Sequence, residues 1–182
     1  MTSIGNKMVY DIYCYKPDLN TPSIDEAQKV ILAENSRNQL SDSETRRVVK
    51  LIMALTRLTP KLESVYMENI HRIKNPEYSE SNRIILNTPK GEASTQLEFY
   101  GRCVLISIPL GYSALGAEKT FQQIAEYILC IGDLTKYFVY DPQLEKAFDS
   151  RQEQFPTSNV LQKYSEMSNS LTIAAKPWWK IW

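Results

Sequence analysis

The common nucleophile–base sites of hydrolases use a histidine, and the sequence has one, His71. It stands in Asn69-Ile70-His71-Arg72, the setting of an exposed helix end, and nothing places a nucleophile beside it. It reads as a solvated side chain. The three cysteines, Cys14, Cys103 and Cys130, are far apart, odd in number and set in apolar patterns, where a reduced thiol acts as a small hydrophobe. A CxxC pair for a redox or zinc site is missing, and so are Asp-rich loops of the EF-hand type. The expectation is therefore no metal, no cofactor and no catalytic residue. Asp141 is a carboxylate at a strand end, a position that enzymes often use. In Asp141-Pro142-Gln143-Leu144 its simpler role is a turn aspartate bonded to its own backbone. Gly111-Tyr112-Ser113-Ala114-Leu115-Gly116 lies between a strand and a helix, where phosphate loops occur. It matches neither GxxxxGK[ST] nor GxGxxG and lacks the lysine beside the helix, which leaves only the weak anion affinity of a helix start.

These residues need a scaffold, and Leu97–Tyr140 supplies its centre. Cys103–Ile108 is apolar or small at almost every position, as a strand covered on both faces would be. From Glu118 onward, Phe121, Ile124, Ala125, Ile128 and Ile131 or Leu134 fall at the spacing of a helix with one buried stripe. Tyr137–Tyr140 returns as a strand. Ahead of this unit, Val9–Lys16 reads as a strand with Val9, Asp11, Tyr13 and Tyr15 on one face and Tyr10, Ile12 and Cys14 on the other. Ser23-Ile24-Asp25-Glu26 and Ser41-Asp42-Ser43-Glu44 both fit the capping box that opens a helix. Thr59-Pro60 interrupts the second helix, and Lys61–Ile73 is ambiguous. Arg83–Asn87 reads as a strand, Glu145–Asp149 as a short edge strand and Thr157–Ser168 as a helix.

The predicted architecture is one α+β domain over residues 1–182, with 1–7 a loose leader and 150–182 a C-terminal extension or docked arm. Its antiparallel sheet comprises Val9–Lys16, Arg83–Asn87, Leu97–Ile108 and Tyr137–Tyr140. Helices Ser23–Glu34, Ser41–Leu58 and Ala117–Asp133 cover one face, in the ferredoxin-like βαββαβ order with one extra helix. The closing Trp178–Trp182 segment is expected to dock on the domain, because exposed tryptophans favour aggregation.

A chain of 182 residues has room for a proper core. Twenty-one basic residues balance twenty-one acidic ones, which argues against nonspecific nucleic-acid binding. The opening MTSIGNKMVYDIY has no apolar run of signal-peptide length, and no run long enough to span a membrane follows, so the expected compartment is the cytoplasm.

Tyr10-Asp11-Ile12-Tyr13 with Tyr15-Lys16-Pro17, then Phe138-Val139-Tyr140-Asp141-Pro142-Gln143, and finally Pro177-Trp178-Trp179 form a series. Together they resemble small bacterial proteins with an M-x-Y-D-[IL]-Y start, a V-Y-D-P-Q motif and a proline-tryptophan tail. Some of these look like immunity proteins encoded beside polymorphic toxins of contact-dependent or type VI delivery systems. The resemblance implies a cytoplasmic, non-enzymatic monomer or homodimer that binds and neutralises one cognate toxin domain. Basic toxins would be met by acidic residues, and the candidates are Glu34, Asp42, Glu44, Glu145, Asp149 and Glu153, with Tyr112 and Asp141 at the strand ends. The alternatives are a small enzyme or ligand sensor using a cleft near Tyr112 and Asp141, and a homo-oligomeric scaffold pairing through a strand edge.

Overall fold

The computed structural model describes residues 9–37, 40–59, 62, 84–88 and 95–174, with side chains to 170. His71, the ambiguous Lys61–Ile73 segment apart from the buried Leu62, the leader and the Trp178–Trp182 arm lie outside the described residues.

The sheet is organised around β1 (Val9–Tyr15), which pairs antiparallel with a strand on each side. On one side is β4 (Cys103–Pro109), from Val9 opposite Pro109 to Tyr15 opposite Cys103. On the other is β5 (Phe138–Asp141), with Tyr13 opposite Tyr140. β3 (Gln96–Tyr100) and β2 (Ile84–Asn87) extend the sheet beyond β4, and β6 (Lys146–Phe148) extends it beyond β5. The order is β2-β3-β4-β1-β5-β6, antiparallel throughout. The α+β class and the antiparallel sheet agree with the sequence reading.

Two details differ. The predicted single strand Leu97–Ile108 is two strands, broken at Gly101-Arg102 into a hairpin that pairs Tyr100 with Cys103. Gly101 adopts φ +50°, and a Cβ there would sit 1.8 Å from Oε2 of Glu34. Both facts select glycine. With the added strands the βαββαβ order is not reproduced as such, although β3-β4-β1-β5 keeps the split arrangement in which β1 separates two strands joined by a helix.

The helices also divide differently. There are four among the described residues: α1 (Ile24–Asn35), α2 (Asp42–Leu58), α3 (Ala114–Thr135) and α4 (Thr157–Ala174). α2, α3 and α4 bury Val48, Leu51, Ile52, Leu55, Phe121, Ile124, Ile128, Val160 and Tyr164 against Tyr10, Ile12, Cys14, Val104, Ile106 and Val139. α1 lies on the opposite face, its Ala27, Val30 and Ile31 against Tyr15, Tyr100, Cys103, Phe138 and Tyr140. The expectation of helices on one face is therefore corrected. The cause is the strand period of two: β1 presents Tyr15 away from Cys14, and the aromatic side chains on that second face need a cover of their own. α4, within the expected C-terminal extension, packs into the core, since Val160 and Tyr164 are buried.

Caps explain the helix starts. Ser41 accepts from the Glu44 amide while Glu44 accepts from the Ser41 amide at 2.8 Å, the predicted box. Ser23 makes no such side-chain bond. Glu26 instead accepts the Asp18 and Leu19 amides, each at 2.6 Å, and ties the incoming loop to α1. Ser113 caps α3 through the Gly116 amide, so the helix begins at Ala114, inside the expected glycine loop. No helix among the described residues is long and apolar enough to cross a membrane.

Candidate binding surface

The acidic positions picked from the sequence separate into two groups. Glu34, Glu44 and Asp149 were expected on solvent faces, but all three are buried. The reason is pairing. Arg37 donates to Glu34 at 2.7 Å and, through both terminal nitrogens, to Glu44 at 2.7 and 2.8 Å. Arg102 donates to Glu34 at 3.1 Å and to Asp18 at 2.6 Å. The resulting run Glu44–Arg37–Glu34–Arg102–Asp18 laces α2, α1, the β3–β4 turn and the β1–α1 loop together. The Arg37 bonds hold the Glu44 carboxyl down at about 2. Asp149 is clasped by Arg151 at 2.6 and 2.7 Å; burial pushes its carboxyl up, but those bonds outweigh it and leave it below its ordinary value. Asp42, Glu145 and Glu153 are exposed, and Glu153 pairs with Lys146.

Tyr112 and Asp141 are connected through the core. Asp141 is fully buried. Its Oδ1 accepts the Gln143 and Leu144 amides at 2.9 and 3.0 Å, the turn role expected of it. Its Oδ2 accepts the Tyr10 hydroxyl at 2.8 Å. Burial raises the Asp141 carboxyl, with the bonds from Tyr10 and the two amides working against that rise. Tyr10 packs beside Tyr164, whose hydroxyl donates to the Pro109 carbonyl at 2.7 Å and accepts the Tyr112 amide at 3.2 Å. Both carboxylate oxygens and the tyrosine hydroxyls between them are thus committed to holding strand ends. Two of the three cysteines are equally enclosed: Cys14 and Cys103 are buried, and burial pushes the Cys103 thiol up to about 12 and Cys14 higher still, while Cys130 is half-buried. Among the described residues no group of His, Cys, Asp and Glu is arranged to hold a metal ion.

The α1 side of the sheet carries a different arrangement. α1 covers the Tyr15, Tyr100, Cys103 and Phe138 end, while Val9, Asp11, Tyr13, Leu105 and Ser107 remain half-buried and Ile85 and Asn87 exposed. Ser107, directly across from Asp11, donates to Asp11 Oδ1 at 2.6 Å. Glu98 stands across from Leu105 on the same face. Burial raises the Asp11 carboxyl; the Ser107 bond lowers it and the Glu98 charge raises it further. A half-buried carboxylate of raised proton affinity, oriented by a hydroxyl and set beside Tyr13 and Leu105, has the chemistry to receive a cationic side chain together with flat apolar contact.

Asp11, Ser107 and Glu98 were not among the predicted site residues. The alternation in Val9–Tyr15 already places Asp11 beside Tyr13, but Glu98 joins them only through the β1–β4–β3 register, which strand periodicity leaves open. Comparison with protein-family models, with curated proteins and with solved structures found no match for this chain.

Proposed function

We propose that this protein is an immunity-type inhibitor that binds and neutralises one cognate bacterial toxin domain in the cytoplasm, acting by occlusion rather than catalysis. The observation that carries the reading is the outer sheet face, where Asp11 is held by Ser107 beside Tyr13 and Leu105. A basic toxin surface would place a lysine or arginine on Asp11 and lay its apolar neighbours on Tyr13 and Leu105. The resemblance in YDIYCYKP and FVYDPQ supports the same reading. Neutralisation asks for a nanomolar or tighter complex, about −12 kcal/mol or beyond, and so for an interface of about 1,600 Å² or more.

The test is co-expression with the toxin domain encoded beside this chain. The expected result is a stable complex and rescued growth, with Asp11→Asn weakening the complex roughly tenfold or more, about 1.4 kcal/mol. Absence of both complex and rescue refutes the immunity reading. A complex untouched by Asp11→Asn and Tyr13→Ala moves the contact to another face.

A further inference from the structure

The face of the molecule opposite α1 is self-complementary in charge. Outward on α2 stand Arg46, Lys50, Met53, Arg57 and Leu58, and outward on α3 stand Glu126, Leu129, Asp133 and Leu134, all exposed. None of these charged side chains has an ion-pair partner among the described residues. Met53, Leu58, Leu129 and Leu134 are 45–56% exposed and give the face an apolar component. Such a basic ridge beside an acidic ridge is matched by its own copy turned over.

The relative level of the two helices can be read from their cross-bonds. Thr59, just past the end of α2, accepts from Gln123 at 3.1 Å and from Tyr127 at 2.9 Å, and Arg47 near its start donates to Tyr137 at 2.6 Å. The helices are therefore antiparallel neighbours. With equal rise per residue, Arg57 lies near the level of Glu126, Met53 midway between Leu129 and Leu134, and Lys50 near the level of Asp133.

We infer that a second copy of this chain docks on this face, about a two-fold axis running parallel to α2 and α3. That axis preserves level, so each α2 lies over the partner copy's α3. Arg57 then meets Glu126, Lys50 meets Asp133, and Met53 seats between Leu129 and Leu134, twice over as an isologous interface requires. A two-fold axis across the helices instead stacks α2 on α2 and α3 on α3 and brings like charges together, so charge selects the first arrangement. The helix stretches involved are only about 20 Å long, a patch smaller than the roughly 800 Å² per partner of a standard interface. The dimer is accordingly weak, micromolar rather than nanomolar. It leaves Asp11 and α1 on the outside of the pair and stands independently of the toxin reading.

Sedimentation velocity from about 1 to 200 μM, at low and at high salt, tests it. The expected result is a monomer–dimer equilibrium in the micromolar range that weakens as salt screens the pairs. Lys50→Glu and Asp133→Lys should each raise the dissociation constant at least tenfold, and the double variant should recover most of the loss. All these side chains are exposed, and an unchanged circular-dichroism spectrum confirms that the variants fold. A chain that stays monomeric throughout overturns the proposal, as does a dimer that ignores both reversals, which would point to strand-edge pairing.

Discussion

Asp141 shows how one side chain can look catalytic and be structural. It combines a strand-end position with complete burial, yet each of its oxygens already holds a bond: two turn amides on one and the Tyr10 hydroxyl on the other. Asparagine keeps an oxygen for the amides and an NH₂ that the Tyr10 hydroxyl can accept from, and it removes a buried charge. Alanine leaves a buried hydroxyl and two amides without partners. Asp141→Asn is expected to lie within about 1 kcal/mol of wild type, and Asp141→Ala to lose about 2–4 kcal/mol, from roughly 1–3 kcal/mol per unsatisfied group offset by removal of the charge. Urea unfolding monitored by tyrosine fluorescence separates the two. Equal losses for both variants would mean that the charge itself matters, as an enzyme or sensor reading of this end of the molecule would require.

Among the elements, the β3–β4 hairpin depends most on a single position. Gly101 turns the chain at positive φ where Glu34 presses against it, and Glu34 is the carboxylate that Arg37 and Arg102 share. Gly101→Ala strains the backbone and displaces the Glu34 carboxylate from both arginines. The expected loss is about 2–4 kcal/mol, more than the usual 1 kcal/mol or so of a surface glycine, because a buried charge loses its partners as well. Thermal unfolding of Gly101→Ala, alone and with Glu34→Ala, checks the mechanism. If steric displacement of Glu34 is the cause, the double variant costs clearly less than the sum of the two single ones.

Across the whole molecule, the run Glu44–Arg37–Glu34–Arg102–Asp18 joins α1, on one face of the sheet, to α2, on the other, by way of the β3–β4 turn at the strand ends. This makes stability depend on pH in a definite direction. The folded state holds the Glu44 carboxyl at about 2, below its ordinary 4.5. Its contribution is therefore present above pH 4.5 and is lost as pH falls through 2. Asp11 and Asp141 are raised in the fold, so protonating them favours folding and their contribution has the opposite slope. The expected outcome is that Glu44→Gln lowers the urea midpoint at pH 6 but not at pH 2, with the wild-type advantage fading between pH 4.5 and 2. An advantage that persists at pH 2 would show that Glu44 acts through packing and its cap rather than its charge.

Much of this architecture is local and was legible in the sequence. The alternation of Val9–Tyr15, the stripe from Phe121 to Ile131, the Ser41–Glu44 box and the Asp141 turn are all decided within a few residues, where periodicity and capping chemistry act directly. The break at Gly101 was less visible, because the residues on both sides of it are apolar and a two-residue turn interrupts the pattern only briefly. Long-range pairing decided the rest. Whether α1 shares a face with α2, whether Glu34 and Glu44 meet solvent or arginine, and whether Asp11 finds Ser107 and Glu98 all depend on strand order and register. A strand's own sequence determines which residues share a face. Only its neighbours determine which face is covered, by what, and which carboxylates remain at the surface to meet a partner.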